Sequence, residues 1–507
     1  MNIPEIMKIF KPAIIRSTIV CLFFSTITIQ AQVTVQEAVN QLPEGKLTLE
    51  AAIGIALKNN PQLKQAGLQY EMSVNEFEQA QWRRWPSLNF SASQGFSFGR
   101  NIDPFTNQFV QQNVAFNNYN LSAGVTLFNG GALQNSVKQT QITKNASEKD
   151  LEAARNDVML NVALAYLQIL NNIELITVAE RQIEATQFQL ERTTKLVEAG
   201  SLAESNLFDL RSQLANDELT LVNAQNNLEN AKLTLKQLMN VIGGQPVEVA
   251  DIPIADPTLQ LYDASIEEVF NTAVSNLPQM KAAELKIKAA EKGVEVARSA
   301  YLPSLTLAGG MGTSFSSAAP KERFIGDGSG SSTIEVPSTT QFITVGDIVV
   351  PIYNRVTTIN GSNQHFGYFD QLNFNRNPSV SLSLRIPIFN AFQAKYQVNS
   401  AKINHLNTQY QGELALQQIR QNVEQAYISM TNAAKKYSAT AKQVSALEET
   451  FRVAEARFNV GAMNSTEYNI AKANLDQARA NLVQAKYDYV FRTKILDFYM
   501  ARPLSID

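Results

Sequence analysis

The chain has 507 residues, enough for two to four domains, with 45% apolar and 18% charged residues and a net charge of −3. So weakly charged a sequence offers no basic face for nucleic acid. Its single cysteine, Cys21, leaves the rest of the chain without a disulfide framework, a thiolate metal site or a cysteine nucleophile.

Taken in order, Lys8, Lys11 and Arg16 precede an apolar run from Thr18 to about Ile29, and Gln30-Ala31-Gln32 follows. This is the layout of a secretory signal peptide over residues 1–31, too short for a stable membrane span. Cleavage after Ala31 removes three positive charges and one negative, taking the net charge from −3 to −5, and removes Cys21. No later stretch holds about 18 consecutive apolar residues. Any entry into a membrane must therefore be made by β-strands.

A helix is expected from Thr48, interrupted at Asn59-Asn60-Pro61, and a second to about Arg84, where Trp85-Pro86 ends it. Period-two alternation follows at Leu88, Phe90 and Ala92, and again, after a polar loop, from Tyr119 to Leu127. Both read as strands. Phe128-Asn129-Gly130-Gly131 then leads into a helix from about Ala132 to Glu198, about 100 Å long at 1.5 Å per residue. Within it Val162, Ile169, Ile176, Ile183, Leu190 and Val197 recur every seventh residue. After Ala199-Gly200-Ser201 comes a second ladder, Leu207, Leu214, Leu221, Leu228 and Leu235. Seven-residue apolar repeats keep one seam facing a partner, and so short a break folds the second helix back along the first. The expectation is a long antiparallel coiled-coil hairpin with Gly200 at its tip.

The pattern then repeats. Asn276-Leu277-Pro278 answers Asn59-Asn60-Pro61, and Pro303-Ser304-Leu305 answers Pro86-Ser87-Leu88, both at an offset of 217. Strands follow at about Leu305–Met311 and from Val380 through Leu382, Leu384 and Ile386 to Ile388. From Phe389-Asn390 onward the offset is 261, which matches Ala426-Tyr427 to Ala165-Tyr166 and Gly461 to Gly200. The ladders return as Val423, Met430, Tyr437, Val444, Phe451 and Phe458, then Tyr468, Leu475, Leu482, Tyr489 and Leu496. The chain is thus a tandem duplication, 32–263 and 264–507, whose second interstrand loop is 44 residues longer. That loop, 316–377, is expected to be extracellular, with Gly326-Asp327-Gly328-Ser329-Gly330 as a mobile surface loop and not a phosphate cradle.

Four amphipathic strands per chain cannot close a barrel, and open strand edges in lipid leave unpaired backbone groups costing several kcal/mol each. Closure needs other copies: two give eight strands, three give twelve and room for a lumen. The helix flanks carry small residues (Ala224, Ala231, Ala478, Ala485) and polar ones (Asn216, Gln225, Asn226, Gln477, Gln484), suited to close packing and to lining water.

The duplicated order, the Pro-Ser-Leu entries at 86–88 and 303–305, the Leu/Ile-Phe-Asn exits at 127–129 and 388–390, and the tips at Gly200 and Gly461 resemble the TolC-like outer membrane efflux proteins. The resemblance implies a mainly α fold with membrane β: coiled-coil hairpins forming an α-barrel through the periplasm, joined to a trimeric 12-stranded transmembrane β-barrel in outer membrane lipid. An equatorial girdle would use the linker near 241–264 and the chain ends. It implies a homotrimer acting as a passive exit duct, docked by a periplasmic adaptor protein at Gly200, Ser201, Leu202, Gly461, Ala462 and Met463, and powered by an inner-membrane transporter. It also implies an acidic ring at the periplasmic entrance, whose position Glu467 occupies, with Asp209 and Glu204 as weaker candidates.

Read on their own, Gly200 and Gly461 fit the helix-ending position with φ > 0, and Ser201-x-x-Glu204 and Asn464-x-x-Glu467 read as caps of the return helices. Three copies of Glu467 round one mouth would attract cations. Phe458 and Met463, being apolar, point to a water-excluding constriction there. The two histidines, His365 and His405, pair with nothing resembling a zinc site; no catalytic residue, metal or cofactor is expected. A periplasmic coiled-coil scaffold without a pore is the rival reading, and a dedicated metal-ion duct a further one.

Overall fold

The computed structural model describes residues 45–102, 107–111, 113–241, 247–250 and 262–502. The signal peptide expected at 1–31 and much of the linker expected at 241–264 lie outside the described residues. Helix α1 (Leu49–Asn59) starts on Thr48, whose Oγ1 accepts the Ala51 N–H at 3.2 Å. Asn60 ends it and opens α2 (Pro61–Trp82), its Oδ1 accepting the N–H groups of Gln62 and Leu63 at 2.9 and 3.2 Å. Pro61 sits at the first helical position, where its missing donor would have been unsatisfied anyway.

Strand β1 (Ser87–Ser97) follows Pro86 at once. The polar loop expected after it contains a short pair, β2 (Arg100–Ile102) with β3 (Phe109–Gln111), and β4 (Val114–Asn129) begins earlier than its apolar alternation. With β5 (Ser304–Ser316) and β8 (Asn377–Arg385) these make a four-stranded antiparallel sheet in the order β1-β4-β5-β8. Strand β8 stops short of the expected Ile386 and Ile388, because Pro387 offers no N–H to a ladder. In register, Leu88, Ala123, Gly309 and Val380 share one face, as do Phe90, Leu121 and Met311. The other face carries Asn89, Ser122, Gly310 and Ser379. The apolar face is open, with Phe90 68% and Val380 82% exposed. Each outer edge, on β1 and β8, lacks a strand partner among the described residues.

The segment 316–377, expected as a loop between strands, contains elements of its own. It holds a second, separate sheet, the ribbon β6 (Glu322–Val345) and β7 (Ile348–His365), and a short helix α7 (Tyr368–Phe374). Gly326–Gly330 is not a free turn but a bulge inside β6, where the register shifts between Gly326 and Ser331.

Two helical hairpins complete the chain: α3 (Ala132–Glu198) with α4 (Ser205–Met239), and α8 (Gln393–Asn459) with α9 (Ser465–Tyr499). Both long arms have 67 residues and both return arms 35. Beyond the reach of the return arms, α3 packs on α2 and on α6 (Pro278–Arg298), and α6 also meets α8. Helix α3 contains an 18-residue window of mean hydropathy 1.5, apolar enough for a span, but half of it is buried within the protein.

Where the return arms end, each repeat builds a core. Val162, Ile169, Leu235 and Met239 enclose α1 with Leu47 and Val249. At the same places in the second repeat, Val423, Met430 and Leu496 enclose α5 (Ile266–Asn276) through Val269 and Ala273. Leu47 bridges Val249 in parallel, and the Tyr166 hydroxyl lies 3.0 Å from the Leu47 carbonyl and 2.8 Å from that of Ala250.

Candidate functional site

The hairpin tips are built by backbone rules. Gly200 (φ +74) and Gly461 (φ +71) follow the last helical residues in the left-handed region. Ser201 N–H donates to Leu196 O at 2.8 Å and Gly200 N–H to Val197 O at 2.9 Å. Ala462 and Gly461 do the same to Arg457 and Phe458, at 2.8 and 3.0 Å. This six-to-one and five-to-two pairing closes a helix around a residue without Cβ. Gly461→Ala should cost about 1–2 kcal/mol from the left-handed backbone alone, and lower the chemical midpoint of hairpin unfolding; open space around Gly461 removes any steric clash from that reading.

The tips then diverge. Asn464 Oδ1 accepts the Glu467 N–H at 2.7 Å and caps α9. The expected cap Ser201-x-x-Glu204 does not form: α4 starts at Ser205, after Glu204, with no side-chain cap. Offset 261 puts Ala203, not Ser201, opposite Asn464, and alanine has nothing to offer an orphan N–H.

Gly200, Ser201, Gly461, Ala462 and Glu467 are exposed, Leu202 and Met463 half-buried. Glu467 therefore sits exposed in the first turn of α9, beside the second tip. Phe458 does not join it. It is 6% exposed and stacks on Tyr468 at 4.6 Å with the rings 22° apart, so its side chain fills the seam of its own hairpin. Burial raises the Tyr468 hydroxyl well above its ordinary value, keeping it neutral in that seam. Asp209 is exposed but engaged, its Oδ2 accepting the Ser465 hydroxyl at 2.7 Å. It links the first hairpin to the second. Arg192 Nη1 makes another link, donating to Asn459 Oδ1 at 2.6 Å.

About two to four turns above the tips lies the feature that sequence reasoning missed. Lys472 of α9 and Asp217 of α4 are 3% and 5% exposed, with Nζ 3.4 Å from Oδ2. Lys472 Nζ also meets Asp476 Oδ2 at 2.6 Å, while Asp217 accepts hydrogen bonds from Thr186 and, at 2.8 Å, from Gln213. Burial holds the Asp476 carboxyl above its usual range, with Lys472 pulling the other way. Three helices, α3, α4 and α9, are tied around one buried cation. The sequence did carry a signal: Asp217 is three residues past Leu214 in the ladder, a seam position where a charge needs a partner.

Beside this buried cluster (a lock between the hairpins), α3, α4 and α9 leave a groove of about 390 Å³ rich in amides, among them Asn216, Asn223, Gln477, Asn481 and Gln484. Ala231, Ala478 and Ala485 are buried, and Ala224 half-buried, so the small flanks pack while the polar flanks face water. No group of three or more His, Cys, Asp or Glu side chains suited to a metal occurs among the described residues.

A family model described as outer membrane efflux protein matches residues 52–241 and 269–500. The outer membrane protein TolC of Escherichia coli (strain K12) is 24% identical over 466 residues, covering 88% of this chain and 84% of TolC. The pyoverdine export outer membrane protein OpmQ of Pseudomonas putida is 26% identical over 237 residues, 46% of each chain. In fold, crystal structures of CusC match with a TM-score of 0.69 at 18% identity, covering 90% of this chain and 92% of CusC. The open-state MtrE channel of Neisseria gonorrhoeae matches at 0.65 and 20%, covering 90% of both.

Proposed function

The chain belongs to the outer membrane efflux protein family, and from that membership we propose that three copies form the passive exit duct of a tripartite efflux or type I secretion assembly. The family places it in the outer membrane, in transport. The observation that carries the finer reading is the open four-stranded sheet with one apolar and one polar face, continuous with the two hairpins. The apolar face suits lipid, and the bare edges of β1 and β8 suit pairing with neighbouring copies, giving twelve strands around a Ser- and Asn-lined lumen. The repeats 32–263 and 264–507, after a cleaved 1–31, each supply two strands and one hairpin.

The hairpin tips reach into the periplasm. Exposed Gly200, Ser201, Gly461 and Ala462, with half-buried Leu202 and Met463, present the surface for an adaptor protein, beneath which an inner-membrane transporter supplies the energy for moving small molecules or polypeptides. Glu467 rings the entrance. Asp209 holds the two hairpins of a protomer together there.

Gentle detergent extraction followed by mass measurement tests the reading. A three-chain particle that conducts ions in planar bilayers is the expected result; a one-chain particle that passes none overturns it and favours a poreless scaffold. Glu467→Gln should reduce cation preference of the channel, read as a shift of the reversal potential toward zero in a salt gradient, with the assembly unchanged. An unaltered reversal potential removes Glu467 from the mouth.

A further inference from the structure

The ribbon β6–β7 has no role in the duct so far. It stands apart, pairing with no other strand among the described residues, and a two-stranded ribbon alone in water is marginally stable at best. Its stem is polar at the bulge, through Gly326, Ser331, Ser332 and Thr333, with apolar side chains such as Ile334 and Val356 paired beyond it. The tip is apolar. Ile343 pairs with Val350 and Val345 with Ile348, placing all four on one face at 55%, 44%, 67% and 68% exposure. A tight Gly346-Asp347 turn, with Gly346 at φ +61, closes the end.

The tip has one charge of its own, Asp347; further down, Arg355 and Glu335 neutralise each other at 3.2 Å. It therefore has no cation with which to recognise an acidic surface or a phosphate. An apolar strand end this open needs cover.

The root of the ribbon says what covers it. Ser317 is fixed to β4 by its N–H to Ala115 O and by the Ala115 N–H to its Oγ, both at 2.9 Å. The return passes through α7, which caps the upper edge of β5: Gln371 Oε1 accepts the Ser316 N–H at 3.1 Å and Asn375 Nδ2 donates to Ser314 O at 2.7 Å. The chain then enters β8, whose outer edge is bare among the described residues and, on the three-copy reading, pairs with a neighbouring copy. Each ribbon is thus rooted one strand from the junction between copies, and extends about 60 Å at 3.3 Å per residue.

We propose that the apolar tips of the three ribbons pack on one another over the outer end of the channel, each tip face covered by a second copy of this chain. This rests on the three-copy reading above. Tethering at a shared rim raises the effective concentration of one tip for another to millimolar levels, so a few apolar side chains suffice.

Cysteine cross-linking tests it in the full-length protein in detergent, in a Cys21→Ser background. Val345→Cys and Ile348→Cys under mild oxidation should give at least about tenfold more cross-linked chains than Thr333→Cys in the stem, with the three-chain mass preserved. A preserved three-chain mass without tip cross-links overturns this inference and leaves the duct reading intact. An environment-sensitive dye on Val345→Cys that brightens only when phosphatidylethanolamine–phosphatidylglycerol vesicles are added also overturns it, placing the tip in lipid. A one-chain particle overturns both readings.

Discussion

Lys472→Met is expected to destabilise the lower hairpins by about 3–5 kcal/mol, the cost of stranding a buried charge whose partner is gone. Methionine fills a similar volume, so packing loss is small. What remains is Asp217 at 5% exposure beside Asp476, with no cation between them. An exposed pair such as Arg479 with Glu448, at 48% and 49% exposure, should by contrast lose only about 0–1 kcal/mol when broken.

The pH response identifies the mechanism. The Asp476 carboxyl lies above its ordinary value because burial disfavours its charge, and Lys472 is the main opposing influence. Removing the lysine raises it further. A carboxyl that holds its proton more tightly folded than unfolded adds stability as pH falls through its folded value toward its unfolded one, and that contribution is lost as pH rises back through the folded value. The deficit of Lys472→Met should therefore shrink on acidification. Chemical unfolding at neutral pH and near pH 5 measures it; an equal deficit at both would mean that packing, not charge, was lost.

Leu382→Arg is the second large effect. Leu382 pairs with Leu307 on the apolar face and is 63% exposed. On the lipid face of a barrel an arginine near the bilayer midplane costs about 2–4 kcal/mol, incurred once per copy. Loss of the three-chain particle from membranes is expected. Ser381→Arg, one residue earlier on the opposite face, should assemble normally and lower cation conductance by placing positive charge in the lumen. Equal tolerance of both substitutions would mean that neither face meets lipid. The comparison reads the orientation of the sheet independently of its closure.

Much of this architecture was legible because different residues punctuate different elements. Pro61, Pro86 and Pro303 fix helix and strand starts, and the helix bounds Ala132–Glu198 follow from Gly130-Gly131 before the helix and Gly200 after it. Burial within the ladder was less legible. Val162 and Ile169 are fully buried, yet further down Ile176, Ile183, Leu190 and Val197 are half-buried while Gln182, Thr186, Gln189 and Thr193 face inward. A nearly straight helix drifts about 20° per heptad against a strict seven-residue repeat, so a long seam rotates away from its apolar row. The lock at Asp217 sits in that rotated stretch. Phe458 was placed twice by sequence, once in the ladder and once at the mouth, and the ladder reading, being periodic, was the sound one. The ribbon escaped notice because Gly326 to Ser332 reads as a loop, although Phe342 to Val350 alternates too little to reveal its faces.

The buried lysine has a further geometric consequence. At the duplicated positions Asp217 is answered by Ala478, Asp476 by Ala215 and Lys472 by Arg211, which lies over its own Phe208 ring at 5.9 Å. In a ring of three copies, six near-alike walls would meet at six seams, but only the three inside protomers would be stitched. The other three would hold no such clasp. A mouth made this way would widen by hinging rigid pairs of walls apart, its outline passing from a circle to a triangle.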